Sequence, residues 1–110
     1  MSTEPERTTD KKPWTFVTSH TQVLLCLARD PDVRLRDVAE TAGITERAAQ
    51  RIVADLVEAG YVKRKRVGRR NRYTVNSQVQ MRHEAQQGLP IGPLLDVLGQ
   101  AALHPIRSGR

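Results

Sequence analysis

Arg47, Gln50 and Arg51 are spaced three and four residues apart, which sets them on one side of a helical turn. Arginine and glutamine near the start of an exposed helix are side chains that reach base edges in a major groove. Their chemistry is recognition rather than bond-making. A second cluster follows closely. Residues 61 to 73 hold seven basic side chains (Lys63, Arg64, Lys65, Arg66, Arg69, Arg70 and Arg72) and no acid. The chain has 18 basic and 12 acidic residues, so the 11 basic residues elsewhere are fewer than the acids, and the net charge of +6 arises in this one stretch. Arginine and glutamine are also ordinary helix formers, and a charge run is commonly only a solvated face. Like charges packed this densely repel one another, however, and a phosphate backbone relieves that repulsion.

Other chemistries find little support. Cys26 is the only cysteine, which rules out an internal disulfide and any zinc motif built on cysteine pairs. The simplest reading of Cys26 is a small, partly buried side chain at the edge of a helix stripe. His20, His83 and His104 show no H-x-x-x-H spacing, and His83-Glu84 is the only close histidine–acid pair. Asp30 with Asp32, and Asp37 with Glu40, read as solvated charges. Gly68-Arg69-Arg70 lacks the strand–loop–helix context of a phosphate loop. No enzyme activity, metal or cofactor is therefore expected. Trp14, Phe16, Tyr61 and Tyr73 are the only aromatics, too few for a single-strand stacking platform. The chain contains no run of 18 apolar residues, so nothing is expected to span a membrane, and the polar N-terminus has no apolar signal region. A cytoplasmic protein, nucleoid-associated when bound, is the expectation.

The elements that must position the two clusters can be read from period and punctuation. A chain of 110 residues makes one small domain with short tails. Ser19 to Arg29 predicts a first helix, with Ser19 and Gln22 as a capping box and Val23, Leu24, Leu27 and Ala28 as its apolar stripe. Asp30-Pro31-Asp32 is a turn. Val33-Arg34-Leu35 is an extended piece that can join a small sheet. A second helix covers about Arg36 to Thr41, with Leu35, Val38 and Ala39 facing inward. Gly43 ends it through a positive φ, Ile44 plugs the turn, and Thr45 caps the next helix, with Glu46 on the favourable side of its dipole. That third helix runs from Glu46 to about Ala59. Ala48, Ile52, Leu56 and either Val53 or Ala49 line its inner side; Arg47, Gln50, Arg51 and Ala54 line the other. After Gly60 the period changes to two. Strands at Tyr61–Lys65 and Arg72–Val75 flank a turn that contains Gly68 and Asn71. Beyond Asn76 a connecting stretch leads to Pro93, suited to the first turn of a final helix, with a stripe of Leu94, Leu95, Leu98, Ala101 and Ala102.

Several pieces together resemble one family. They are Leu35-Arg36-Asp37-Val38-Ala39, Gly43-Ile44-Thr45, Thr45 to Val53, Leu56 to Val62, and Gly68-Arg69-Arg70-Asn71-Arg72-Tyr73. This stretch resembles the winged helix-turn-helix domain of bacterial transcriptional regulators, especially MarR-type proteins. The resemblance covers about residues 17 to 76. It implies an α+β fold: a three-helix core with a β-hairpin wing, to which a short C-terminal helix is added. It further implies that the third helix enters the major groove of double-stranded DNA while the wing meets the backbone or minor groove. Full MarR proteins carry longer flanking helices that form a dimer and a ligand cleft. The flanks here are short, so an effector pocket of that kind is not expected, and a small-molecule effector is left open. The chain also resembles compact ArsR-type repressors in size, without their cysteine and histidine metal ligands.

Two functions fit these features. The leading one is a sequence-specific regulator of duplex DNA, a repressor acting as a homodimer on a palindromic site, because two-fold symmetry doubles a limited readout. Its expected contacts are Thr45, Arg47, Gln50 and Arg51 on the helix, Arg36 on the supporting helix, and Lys63, Lys65, Arg66, Arg69, Arg70 and Arg72 on the wing. The alternative is a winged helix that docks to a protein or a structured RNA. In domain terms, residues 1–13 are a polar disordered tail in which Lys11 and Lys12 can touch phosphate, and 14–76 are the DNA-binding domain. Residues 77–104 are a linker and dimerisation helix, with Leu94, Leu95, Leu98, Ala101 and Ala102 at the interface, and 105–110 are a tail.

Overall fold

The computed structural model describes residues 14–103. Four α-helices and one hairpin follow in order: α1 (Ser19–Arg29), α2 (Leu35–Ala42), α3 (Glu46–Glu58), β1 (Val62–Val67), β2 (Arg70–Val75) and α4 (Gly92–Leu103), with a short 3-10 turn at Glu84–Gln86 before α4. The expected α+β class holds: three helices pack together, the hairpin stands beside them, and α4 is added at the end. The tail at 1–13, with Lys11 and Lys12, and the tail at 105–110 lie outside the described residues.

The helix boundaries have local causes. α1 is capped one residue earlier than Ser19 suggests. Thr18 is the cap, its side chain accepting from the Thr21 N–H at 3.2 Å. α2 ends at Gly43 with φ +72°, and the Ile44 N–H returns to the Ala39 carbonyl at 3.0 Å. A left-handed residue lets the chain reverse this tightly and satisfy the last helical carbonyls. Thr45 caps α3 by accepting from the Ala48 N–H at 3.0 Å, and Glu46 occupies the first turn.

The core is built from these helices and the root of the hairpin. Val23, Leu24 and Leu27 of α1, Val38 and Ala39 of α2, and Ala49, Ile52, Val53 and Leu56 of α3 are all buried. Both Ala49 and Val53 take the inner face of α3, and Ala48 is only half buried. Tyr61, Val62 and Tyr73 bring the hairpin into the same core.

The sheet has two strands among the described residues, paired from Val62↔Val75 to Val67↔Arg70. The turn is therefore Gly68-Arg69, shorter than the six-residue turn expected, and Gly68 adopts φ +62°. The extended piece at 33–35 is not a third strand: Leu35 already belongs to α2. A single backbone bond takes its place, from the Tyr73 N–H to the Pro31 carbonyl at 2.9 Å.

Residues 76–91 form a folded loop. Ile91 N–H donates to the Val79 carbonyl and Met81 N–H to the Leu89 carbonyl, each at 2.9 Å, and the Tyr61 hydroxyl donates to the Gln80 carbonyl. Gly92 opens α4 against Ser77 so closely that a Cβ there would stand 2.9 Å from the serine Cβ. The assignment of Leu95 to a dimer interface is corrected by its position: it is buried in the protomer's own core together with Ile91. Leu94 and Leu98 pack partly against that core. The side chains of Ala101 and Ala102 lie outside what is described, and Val97 of α4 is exposed. Among the described residues no helix is long and apolar enough to cross a membrane.

Candidate nucleic-acid interface

The apolar residues of α3 fix how its other face is presented. With Ala49, Ile52, Val53 and Leu56 turned inward, Arg47, Gln50, Arg51 and Ala54 are left exposed. None of the three polar side chains makes an ion pair or hydrogen bond with another described residue, so their donors remain available. Thr45 sits at the head of this face. Its oxygen already serves the helix cap, which leaves the hydroxyl proton free to donate outward. Arg36 is exposed on the first turn of α2, the helix that packs against α3 and holds its angle.

The wing follows α3 after only three residues, Ala59, Gly60 and Tyr61. Its root is apolar and its blade is not. Val62 is the only buried residue of β1 and Tyr73 the only buried residue of β2. Side chains opposite one another in an antiparallel pair share a face. The register therefore sets Arg64 and Arg66 on the face of Val62 and Tyr73, and Lys63, Lys65, Arg70 and Arg72 on the other. Seven exposed cations are thus divided between both sides of the blade and its tip, where Arg69 lies.

They are not equivalent. The Arg70 guanidinium donates to the backbone carbonyl of Asp32, and Arg72 Nε lies 3.6 Å from Asp32 Oδ1. Arg66 Nε donates to the Gly68 carbonyl at 3.1 Å, across the turn. Lys63, Arg64, Lys65 and Arg69 have no such partner among the described residues. Sequence reading places Arg70 and Arg72 with the other contacts and treats Asp30-Pro31-Asp32 as a bare turn. The structure brings that turn to β2, with the Asp32 N–H itself bonded to Asp30 Oδ1 at 3.1 Å. Nothing local in the sequence marks a contact between residues 38 or more positions apart.

The remaining chemistry is structural. Burial pushes the Cys26 thiol above its ordinary range, and neither the charge of Arg29 nor a side-chain hydrogen bond with Thr41 cancels this. Such a thiol is a poor nucleophile. His20 and Asp55 link α1 to α3 at 2.9 Å. Among the described residues no cluster of three or more histidine, cysteine or acidic side chains is placed to hold a metal ion.

Comparison with known proteins agrees with this geometry. The model of the MarR family matches residues 16–72, the helical core and nearly all of the wing. No curated protein matches the chain. Among solved structures, the crystal structure of a predicted DNA-binding transcriptional regulator from E. coli is similar in fold, with a TM-score of 0.52 and 16% identity over 74% of each chain. The family match covers more than half of the 110 residues, and its supporting helix, capped α3 and basic wing are the parts described above: the chain belongs to the MarR family of winged-helix DNA-binding regulators.

Proposed function

We propose that the protein is a repressor that binds a palindromic duplex as a homodimer, with α3 in the major groove and the wing along the backbone or in the minor groove. The observation that carries this reading is the continuity of two exposed surfaces. Arg47, Gln50 and Arg51 stand without partners among the described residues on α3, and the chain passes directly from that helix into a hairpin bearing seven cations. Base readout belongs to the first surface and phosphate attraction to the second. Arg36 adds a phosphate contact from α2. One short helix and one wing read few base pairs, and two-fold symmetry doubles that number. Activity at the chromosome implies a cytoplasmic protein.

Selection from a pool of random duplexes tests the proposal. Enrichment of one motif with two inverted halves about one helical turn apart is the expected result. Retention of all duplexes without enrichment would replace specific readout by simple polyanion binding and favour the docking of an acidic protein or a structured RNA.

A further inference from the structure

Trp14 and Phe16 stand just ahead of α1 with 78% and 93% of their surfaces exposed. Their rings meet edge to face, with centroids 4.9 Å apart and planes at 74°. A lone apolar side chain on a surface is ordinary. Two large rings presented together leave roughly 300 Å² of contiguous apolar surface in water, comparable to the largest patch on a typical monomer, which is often functional. Thr15 Oγ1 donates to the Val17 carbonyl at 2.7 Å, which shapes the segment into a short arm.

Beside the root of this arm lies a cavity of about 750 Å³. Its apolar wall runs from Leu24 of α1, beside the cap Thr18, through Leu56 of α3 to Tyr61, Ile91 and Leu94, and polar side chains including His20, Asp55, Glu58 and Arg82 line the rest. The arm ends where the wall begins, since Phe16 is two residues before Thr18. A projection and a recess therefore share one patch. Such a patch is complementary to itself, and two copies related by a two-fold axis can satisfy both halves at once.

We infer that a second copy of this chain is the occupant: each protomer lays its Trp14–Phe16 arm into the groove of its partner. This rests on the dimeric reading above and names its surface. The area supports it. Two aromatic side chains bury roughly 300–400 Å² per arm, and the groove wall loses a similar area. Two arms then give about 1,200–1,600 Å², above the ~1,000 Å² that a specific interface needs. Leu94 of α4 lines the groove.

Trp14 is the only tryptophan, so emission from selectively excited tryptophan in the full chain reports this arm alone. The expected result is a blue shift that grows with protein concentration in step with dimer formation by sedimentation equilibrium. Trp14→Ala with Phe16→Ala, and separately Thr21→Arg on the groove wall, should each give a monomer with unchanged circular dichroism. Binding to a duplex with two half-sites should then fall about 10²-fold, as linked binding is lost, while binding to one half-site stays within about twofold. A dimer with solvent-exposed emission at every concentration would overturn the inference and place the interface elsewhere. A blue-shifted monomer would overturn it by showing the arm in its own groove. A parent protein that is monomeric throughout would remove the dimer itself, whereas the selection experiment judges DNA recognition independently. An alanine variant that still dimerises but no longer binds one half-site would reassign the arm to DNA.

Discussion

Asp32, in the turn between α1 and α2, faces Arg72 of the wing across 3.6 Å, while its carbonyl accepts a bond from Arg70. One acidic residue thus engages two of the seven wing cations. Both side chains of the ion pair are 58% exposed, so the pair contributes little to stability. Its effect falls on charge. Asp32→Ala keeps the carbonyl bond to Arg70 and releases Arg72. Duplexes of every sequence should bind more tightly, and the slope of log affinity against log salt should steepen by up to ~0.9, the increment for one further neutralised phosphate. Salt titration of binding checks this; an unchanged slope would leave Arg72 without a phosphate partner.

Lys65 and Arg69 carry no partner among the described residues and should behave in the opposite sense. Lys65→Ala with Arg69→Ala should weaken binding to all duplexes roughly alike and flatten the slope by about two units or slightly less, at ~0.9 per phosphate. The same titration reads it out. A loss confined to one sequence would instead identify a base contact in the minor groove.

On α3, Arg47→Ala, Gln50→Ala and Arg51→Ala should each narrow the margin between the preferred site and random DNA by ~1–3 kcal/mol. All three residues are exposed, so folding should be nearly unchanged. Competition binding against random duplex measures the margin. Retention of the parent's margin by all three variants would remove this face from recognition.

Cys26 should be silent as a thiol in the folded protein, with alkylation at neutral pH proceeding only through opening of the core. Its raised folded ionisation range also fixes the sign of a pH effect. The unfolded chain loses the thiol proton first, so the contribution to stability is complete below the ordinary thiol range and is lost as pH rises from there through the raised range of the folded state. Urea unfolding of the parent and Cys26→Ala from about pH 7 to 10, the span around an ordinary thiol, should show the two stabilities converging toward alkaline pH. Parallel curves would mean the thiol titrates alike in both states.

The helical core is readable because its signals are local. Gly43 and Thr45 punctuate the turn between α2 and α3, and the 3.6-residue period of α3 separates Ile52 and Leu56 from Arg47, Gln50 and Arg51. The wing declares itself through charge. Three features leave no such trace. The Asp32 contacts join a turn to a strand that is remote in sequence. The loop at 76–91 is held largely by backbone bonds, which carry no side-chain signature. The stripe on α4 shows only that Leu95 needs an apolar neighbour, and an apolar face does not distinguish its own core from a partner's surface. Placing Leu95 in the protomer's core requires knowing that the folded loop brings α4 back onto α1.

The hairpin is fastened at its root, where Tyr61, Val62 and Tyr73 are buried and the Tyr73 N–H meets Pro31. Beyond Tyr73, the three pairs from Lys65↔Arg72 to Val67↔Arg70 lie outside the apolar core. Mechanically this is a cantilever about 10 Å long, at ~3.4 Å per residue, stayed on one side by the polar contacts of Arg70 and Arg72 with Asp32. Its deflection bends few apolar contacts, so on a duplex bound as proposed the tip would follow grooves of different width without moving α3. In the binding mode proposed above, tolerance to the shape of flanking DNA would then be set by the stiffness of those three residue pairs and of their ties to Asp32, separately from α3.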